Sequence, residues 1–199
     1  MSKPPTRIQQ RNRASILAAG LDVFSQHGFR GATLDQIAEA AGMSKPNLLY
    51  YFSSKEDVHT TLLSGLLDMW LAPLRAVSDC DDPILELLKY AQAKLDLSRD
   101  YPRESRLFAN EILQGAPRLS PSMGALKSLV DEKAALIQSW VDAGKIAQTD
   151  PHHLIFSIWA LTQHYADFDV QVRAVLGDAD PYVGAVTHID RTVRRLLRP

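Results

Sequence analysis

The chain has 199 residues, of which 46% are hydrophobic, and a formal net charge of -1. This length accommodates one small module and one larger helical domain, and the balanced charge excludes a protein that coats nucleic acid by bulk charge. The single cysteine, Cys80, excludes an internal disulfide, no apolar stretch reaches the ~20 residues that span a bilayer, and no secretory signal precedes the first predicted helix. We therefore expect a cytoplasmic protein without a membrane partner.

Basic residues are concentrated at the amino terminus. Lys3, Arg7, Arg11 and Arg13 all precede the first acidic residue of the chain. A basic flexible arm, assigned to residues 1–10, suits a phosphate backbone or a minor groove. A disordered tail that is basic only by chance, without a role in DNA binding, is an equally weighted alternative.

The segment 33–58, TLDQIAEAAGMSKPNLLYYFSSKEDV, predicts two short helices and the start of a long third one. Thr33 and Ser44 are suited to cap the two short helices, and Ser54 to open the long one. Gly42 supplies the left-handed residue that ends the first helix, and Pro46 fits the first turn of the second. This arrangement is a helix-turn-helix.

The second short helix has a packing side and an exposed side. Leu48 and Phe52, four residues apart, form the packing side. On the other side, Lys45 suits guanine, Asn47 suits adenine, and nearby apolar surface suits a thymine methyl. The complete set of candidate DNA contacts, including helix starts and phosphate anchors, is Thr33, Ser44, Lys45, Pro46, Asn47, Tyr50, Tyr51 and Lys55. Solvated polar residues on a small helical bundle are the alternative.

The stretch LDQIAEAAGMSKPNLLYYFSSKEDV, preceded by LAAGLDVFSQHGFRGATL, resembles the TetR family of one-component repressors. The resemblance spans roughly Arg11 to Val58 and implies a DNA-binding domain over residues 11–53. Leu49 occupies the place where the family commonly has a tyrosine that touches phosphate. That role therefore passes to Tyr50 and Tyr51, and which of them reads a base stays open.

The rest of the chain predicts helix after helix, so the expected fold is all-α, with residues 54–199 forming an effector-binding and dimerisation domain. The predicted helices run from Ser54 past Trp70 to a bend at Pro73, from Pro83 to before Tyr101, from Arg103 to Gln114, from Ser120 to Gly144, from Pro151 to Phe168 and from Pro181 to Leu197.

The helix Pro151–Phe168 is apolar on most sides. Ile155, Phe156, Ile158 and Trp159 surround it, so both the domain core and another chain are needed to cover it. With the last helix it predicts a homodimer interface in a four-helix bundle. A dimer presents two recognition helices to the two half-sites of a palindromic operator on double-stranded DNA.

Polar and flat side chains within this apolar domain are candidates for an effector pocket. Gln163 and His164 lie in the middle of the apolar helix, and Trp70 offers a ring for stacking. Further polar edges or walls are offered by Lys94, Ser98, Arg106, Phe108, Glu111 and Trp159. Each of these side chains has ordinary core packing as its alternative role.

A closer resemblance covers longer blocks of the chain. DMWLAPL, LSRDYPRESRLFANEILQGAP and DPHHLIFSIWALTQHYADF resemble the pyrimidine-utilisation regulators of the same family, which sense uracil and thymine. In those regulators a Trp and a Gln line the uracil site, which implies Trp70 and Gln163 here. The expected protein is a DNA-binding repressor, associated with the nucleoid, whose effector is uracil or thymine. The alternative is a TetR-type regulator of a different small aromatic metabolite or drug.

Enzyme chemistry finds little support in the sequence. His152 and His153 diverge as neighbours on a helix, and His164 with Asp167 gives two metal ligands where a site needs more. No Gly-rich phosphate loop or nucleophile motif occurs. We therefore expect no enzyme activity, no metal and no cofactor, with a pure protein-interaction module as a distant third class.

Overall fold

A computed structural model describes residues 6–199, and Lys3 of the expected arm lies outside this range. Across this range the structure is all-α, as predicted, with no strand. The helices are α1 Arg7–Gly31, α2 Leu34–Ala40, α3 Lys45–Tyr51, α4 Lys55–Ala76, α5 Pro83–Asp100, α6 Pro102–Leu113, α7 Met123–Asp142, α8 Pro151–Asp167, α9 Asp169–Leu176 and α10 Pro181–Leu197, and a short 3₁₀ turn at Ser120–Ser122 precedes α7.

Two helices differ from the sequence prediction. Helix α1 begins at Arg7, because the Thr6 hydroxyl accepts from the backbone N–H of Gln9 and the Gln9 amide bonds back to the backbone of Thr6. The residues from Arg7 to Gln10 are therefore helical, and the expectation of a flexible arm is wrong for them. Helix α9 was not predicted, because about two turns are too few to give a recognisable periodicity.

The caps around α2 and α3 are formed as predicted. The Thr33 hydroxyl accepts from the backbone N–H of Gln36 at 3.2 Å, and the Ser44 hydroxyl accepts from that of Asn47 at 3.4 Å. Gly42 has a φ of 67°, the left-handed conformation that the turn requires. Local chemistry thus sets both ends of α2 and the start of the recognition helix α3.

The contacts within the chain define two compact units. Unit 1 comprises the residues up to Leu67 together with Arg106–Leu119, and unit 2 comprises Asp68–Ser105 together with Ser120–Pro199. Helices α4 and α6 therefore each contribute residues to both units. The helix-turn-helix lies wholly in unit 1.

The core of unit 1 joins α1 to the helices that follow it. Ile16, Ile37 and Leu48 are fully buried. Gly20 of α1 allows close packing on α4, since a β-carbon at Gly20 would lie 2.9 Å from Cγ1 of Val58. A small residue in α1 thus sets how closely α4 can pack on it.

The core of unit 2 is built from α5, α7, α8 and α10. Leu87, Ile137, Ile155 and Ile189 are all buried within one apolar cluster. At its edge the Trp140 indole N–H donates to the carboxylate of Asp79 at 2.8 Å. Within residues 6–199, none of the helices has the length and apolar character needed to cross a membrane.

Candidate functional site

The recognition helix α3 presents the exposed side that the sequence predicted. Leu48 is buried, whereas Lys45, Pro46 and Asn47 at its amino end are exposed together, and Tyr50 is 70% exposed. Lys45, Pro46 and Asn47 thus occupy the end of a recognition helix that usually reaches base edges. This side of α3 offers a cation, an amide and apolar surface to a DNA groove.

Lys45 is paired within unit 1. Its ammonium lies 2.9 Å from the carboxylate of Asp35 on α2, and both side chains are largely exposed. An exposed pair of this kind is worth about 0–1 kcal/mol. The lysine can therefore exchange this carboxylate for a base or a phosphate at little cost.

The two tyrosines at the end of α3 are held by α1. Their rings meet edge to face with centroids 5.0 Å apart. The Tyr51 hydroxyl accepts from the amide of Asn12 at 2.8 Å, and the Tyr50 hydroxyl accepts from that of Gln9 at 3.3 Å. Arg13 donates to the main-chain carbonyl of Tyr51 at 2.7 Å. The amino-terminal helix thus orients both rings.

Lys55 has an internal role that the sequence did not predict. Its ammonium donates to the carbonyls of Phe29 at 2.8 Å and Ala32 at 2.7 Å, and it lies 4.5 Å from the Phe29 ring centroid. Gly28, with a φ of 64°, breaks the helical course of α1 and leaves these carbonyls to be satisfied by a side chain. The expectation that Lys55 points toward phosphates is therefore wrong.

In unit 2, Trp70 and Lys94 form a buried pair. They are 4% and 3% exposed, and the lysine nitrogen lies 5.3 Å from the indole centroid and 3.5 Å from the main-chain carbonyl of Trp70. The indole N–H of Trp70 has no hydrogen-bond partner among the described residues. Such an orphaned donor inside a protein marks a place that a ligand group can satisfy.

Burial lowers the pKa of Lys94 to about 7, and the negative charge of Asp167 opposes this shift. One oxygen of Asp167 accepts from the Ser105 hydroxyl at 2.5 Å. Ser98 is fully buried and its hydroxyl donates to the Lys94 carbonyl at 3.2 Å, while its own carbonyl accepts from Tyr182 at 3.1 Å. The neighbourhood of Trp70 therefore combines a cationic donor, an anionic acceptor and a satisfied hydroxyl.

The α8 candidates differ in exposure. Gln163 is half-buried, and no hydrogen bond of its amide is seen within residues 6–199. His164 is exposed and stacks on Phe168 with centroids 5.0 Å apart, so its predicted place inside the buried helix is wrong. The Trp159 indole N–H donates to the Tyr90 hydroxyl at 2.5 Å, and burial raises the pKa of Tyr90.

The remaining pocket candidates, Arg106, Phe108 and Glu111, belong to unit 1, whereas Trp70 and Lys94 belong to unit 2. Glu111 is 3% exposed and accepts from the backbone N–H of Arg118 at 2.8 Å and from its guanidinium at 3.3 Å. Its carboxylate is thus engaged inside unit 1.

Two features of the candidate site were not predicted from the sequence. The bond between Ser105 and Asp167 joins residues 62 positions apart, and the orphaned indole N–H of Trp70 depends on what surrounds it. Helical spacing signals neither of them, although it placed Trp70 correctly in the core. In residues 6–199 no group of three or more potential ligands is arranged to hold a metal ion.

Large apolar side chains are exposed on α8 and α10. Phe156 of α8 and Phe168, the residue directly after that helix, are 47% and 55% exposed, and Val183 and Leu196 of α10 are 72% and 47% exposed. These side chains are the part of the predicted apolar helix pair that the core of unit 2 leaves uncovered.

Two protein-family models match this chain, one in its amino-terminal part and one in the remainder. Residues 16–59 match the family model described as "Bacterial regulatory proteins, tetR family", and residues 63–199 match "YcdC-like protein, C-terminal region". Among solved structures, the ketosteroid transcriptional regulator KstR2 of Mycobacterium tuberculosis superposes with a TM-score of 0.75 at 20% identity, covering 94% of this chain and 95% of that one. This likeness shows the fold.

Sequence relatives are closer. The HTH-type transcriptional regulator RutR of Escherichia coli strain K12 and that of Escherichia coli O157:H7 are each 50% identical to this chain over 98% of its length and 94% of theirs. The HTH-type transcriptional repressor NicS of Pseudomonas putida is 28% identical over 72% of this chain and 68% of its own length. The chain therefore belongs to the TetR family of DNA-binding transcriptional regulators and is not an enzyme.

Proposed function

We propose that the protein is a homodimeric repressor that binds a palindromic operator and responds to a small pyrimidine, uracil or thymine. The observation that carries the effector part is the buried pair of Trp70 and Lys94, in which an indole N–H that has no partner among residues 6–199 lies beside a lysine. The same proposal places the protein on the nucleoid in the cytoplasm. Unit 1 is the DNA-binding part, and unit 2 holds the effector and joins the dimer.

The proposed DNA contacts are made by the exposed side of α3. Lys45 and Asn47 read base edges, Pro46 and Tyr50 contact thymine methyls, and Tyr51 contacts the backbone. The helix starts at Thr33 and Ser44 add N–H donors for phosphates. Support comes from the shared exposure of these α3 side chains and from the way α1 fixes both tyrosine rings.

The proposed dimer joins α8 and α10 of two copies. Phe156 and Val183 leave apolar surface on these helices that a second copy of the same face would cover. Four helices then pack as a bundle. A Phe156→Glu variant should sediment as a monomer and lose operator binding, while Leu113→Glu, which changes an even more exposed apolar residue that lies in unit 1, should remain dimeric.

The proposed effector is a flat heterocycle with alternating donors and acceptors. The Trp70 indole supplies a flat surface and an N–H that no other group in the described part of the chain accepts, and the half-buried amide of Gln163 supplies both a donor and an acceptor. The resemblance to pyrimidine-utilisation regulators, whose uracil site has a Trp and a Gln, supports the same pair. A different aromatic metabolite or drug is the alternative effector.

Regulation follows if the effector binds the two DNA-binding states unequally. The change in operator affinity can be no larger than the ratio of the effector's affinities for those states. Helix α4, Lys55–Ala76, is continuous and contributes residues to both units, so a shift of Trp70 on effector binding acts on the same helix that carries Lys55. This is the proposed route of the signal.

The test combines operator binding with ligand melting shifts. Purified protein should bind the DNA upstream of its own gene cluster in a mobility-shift assay, and saturating uracil should change that affinity at least fivefold. Lys45→Ala with Tyr50→Ala should abolish DNA binding, while Glu39→Gln on the exposed side of α2 should not.

The effector itself is tested by comparing melting temperatures with nucleobases and with unrelated aromatic ligands. Uracil or thymine should raise the melting temperature of the wild type, and Gln163→Ala should remove that rise. A rise produced only by an unrelated aromatic compound would favour the alternative effector.

A further inference from the structure

We propose that Asn12 of α1 is a positioning residue for DNA binding: its amide fixes the Tyr51 hydroxyl as a hydrogen-bond donor, and the hydroxyl presents its proton to a phosphate oxygen of the operator. The inference rests on the proposed contact between Tyr51 and the DNA backbone and deepens it. It names the residue that orients this contact and the direction in which the hydrogen bond runs.

One face of α1 meets the end of the recognition helix. Gln9, Asn12 and Arg13 lie three and four positions apart and therefore share a face of this helix. Ile16, one turn further along the same face, is fully buried. The face is thus apolar where it enters the core of unit 1 and polar where it reaches Tyr51. The packing that holds α1 in the unit therefore also places the amide of Asn12 against this tyrosine.

The direction of the hydrogen bond follows from its atoms. Nδ2 of Asn12 donates to the hydroxyl oxygen of Tyr51 at 2.8 Å. An amide nitrogen can only donate, so the hydroxyl is the acceptor in this bond and its own proton points elsewhere. No protein acceptor for that proton is seen among residues 6–199, and Tyr51 is only partly buried. The proton can therefore be given to a group outside the chain.

The rest of Tyr51 is held in place by its neighbours. Arg13 donates to the Tyr51 carbonyl at 2.7 Å, and its guanidinium lies 4.1 Å from the ring centroid of Phe52. The ring of Tyr50 packs edge to face on that of Tyr51. With main chain, ring and hydroxyl oxygen fixed, the main freedom left to Tyr51 is rotation of its O–H bond. The amide of Asn12 restricts this rotation before DNA binds, which is preorganisation.

The charges of α1 favour an anionic acceptor. Arg7, Arg11 and Arg13 lie in the first two turns of this helix, and the first acidic residue of the chain is Asp22. A phosphate oxygen accepts and carries negative charge, whereas the exposed amino groups of adenine and cytosine donate. A donor hydroxyl held by this basic end of α1 therefore suits a phosphate.

Tyr50 provides an internal comparison. Its hydroxyl accepts from Nε2 of Gln9 at the longer distance of 3.3 Å, and the oxygen of that amide accepts from the backbone N–H of Thr6 at 2.8 Å. A bond of 3.3 Å lies outside the usual range for an amide donor and is weaker. We therefore expect Gln9→Leu to weaken operator binding less than Asn12→Leu does.

The experiment is a double-mutant cycle on operator binding by the full-length protein. The probe is a palindromic duplex that the wild-type protein selects from random DNA, and affinity is measured by fluorescence anisotropy at one salt concentration. Tyr51→Phe should weaken binding at least about tenfold, because each subunit loses a hydrogen bond to a charged group. Asn12→Leu, which changes the shape little, should weaken binding about fivefold in the presence of the Tyr51 hydroxyl and less than about twofold when combined with Tyr51→Phe.

Asn12→Asp tests the direction of the bond. A carboxylate accepts, so it takes the Tyr51 proton and turns it away from the DNA. Its negative charge also repels DNA, but this repulsion is equally present when Tyr51→Phe is added. The loss caused by Asn12→Asp should therefore be at least about threefold larger with the Tyr51 hydroxyl than without it. Because Asp and Asn have nearly the same shape, this variant keeps the test decisive if Asn12→Leu does not fold.

Gln26→Leu is the matched control, because Gln26 is an exposed amide of the same helix, and it should bind the duplex as wild type does. Equal losses from the Asn12 variants with and without the Tyr51 hydroxyl would show that Asn12 contacts DNA itself or acts only on folding, and the inference would be wrong. If Tyr51→Phe binds as tightly as wild type, the Tyr51 contact and the inference both fail while operator binding stands. If the wild-type protein selects no duplex, the proposed function itself fails.

Discussion

His59 gives the sharpest prediction about the stability of unit 1. It lies on α4, is 2% exposed, and meets Phe24 and Phe29 edge-on with ring centroids 4.7 and 4.9 Å away. Its Nδ1 atom has no hydrogen-bond partner in the described part of the chain. Burial, followed by the positive charge of Arg118, lowers the pKa of His59 from 6.5 to about 4.

The sign and the size follow from this shift. The folded protein binds fewer protons than the unfolded chain between pH 4 and 6.5, so the contribution of neutral His59 is present above pH 6.5 and is lost as the pH falls toward 4. At pH 5 the loss amounts to about 2 kcal/mol, from 1.36 kcal/mol for each pKa unit. This is a sizeable fraction of the stability of an ordinary domain.

The assay is urea unfolding at pH 7.5 and pH 5, at one protein concentration. All three tryptophans, at positions 70, 140 and 159, lie in unit 2, so helical circular dichroism rather than tryptophan fluorescence is needed to follow unit 1. His59→Phe should reduce the acid-induced loss by about 2 kcal/mol relative to wild type. His153→Gln, at an exposed position of unit 2, should leave that loss unchanged. An identical loss in wild type and His59→Phe would refute the reasoning.

Three further substitutions, the first with a matched control, test local packing, helix capping and a buried ion pair by urea unfolding. Gly20→Ala should lower the free energy of unfolding by about 1–2 kcal/mol, because the new β-carbon would lie 2.9 Å from Cγ1 of Val58 on α4. Gly65→Ala is the control, because its β-carbon meets nothing within 4 Å, and it should raise the free energy of unfolding by about 0.5–1 kcal/mol. Equal effects of the two substitutions would contradict the packing argument. Thr33→Ala should cost about 0.5–2 kcal/mol and weaken operator binding, since the capping box of α2 is lost, and an unchanged stability would show that the cap contributes nothing. Glu111→Gln should cost about 1–2 kcal/mol, because the buried carboxylate accepts twice from Arg118, and a neutral outcome would mean that this ion pair does not stabilise unit 1.

Features set by neighbouring residues could be predicted from the sequence. The caps of Thr33 and Ser44, the left-handed Gly42 and the start and end of the last helix depend on side chains within about one helical turn. Burial of Trp70 and exposure of the α3 side chains also followed, because each depends on which face of a helix is apolar.

Features set by distant residues could not be predicted. Lys55 contacts carbonyls more than 20 positions away, and its engagement there depends on the break at Gly28. His164 was misplaced because α8 is apolar on most sides, so its periodicity does not show which stripe faces the core. The side chain of Phe156 on that helix and that of Phe168 directly after it remain exposed. Apolar character alone cannot separate a core from an interface between subunits.

The membership of Arg106–Leu119 in unit 1 has a consequence for protein engineering. Leu107 and Leu119 are buried, and the guanidinium of Arg118 lies 3.5 Å from the Phe29 ring centroid, although more than 40 residues separate this segment from the end of the helix-turn-helix. A chimaera that grafts only residues 1–53 onto another regulator's sensor would leave the Phe29 ring without its guanidinium cover. Transplanting the whole of unit 1 therefore requires two separate pieces of chain, because a single crossover that delivers both also carries Asp68–Ser105 of unit 2.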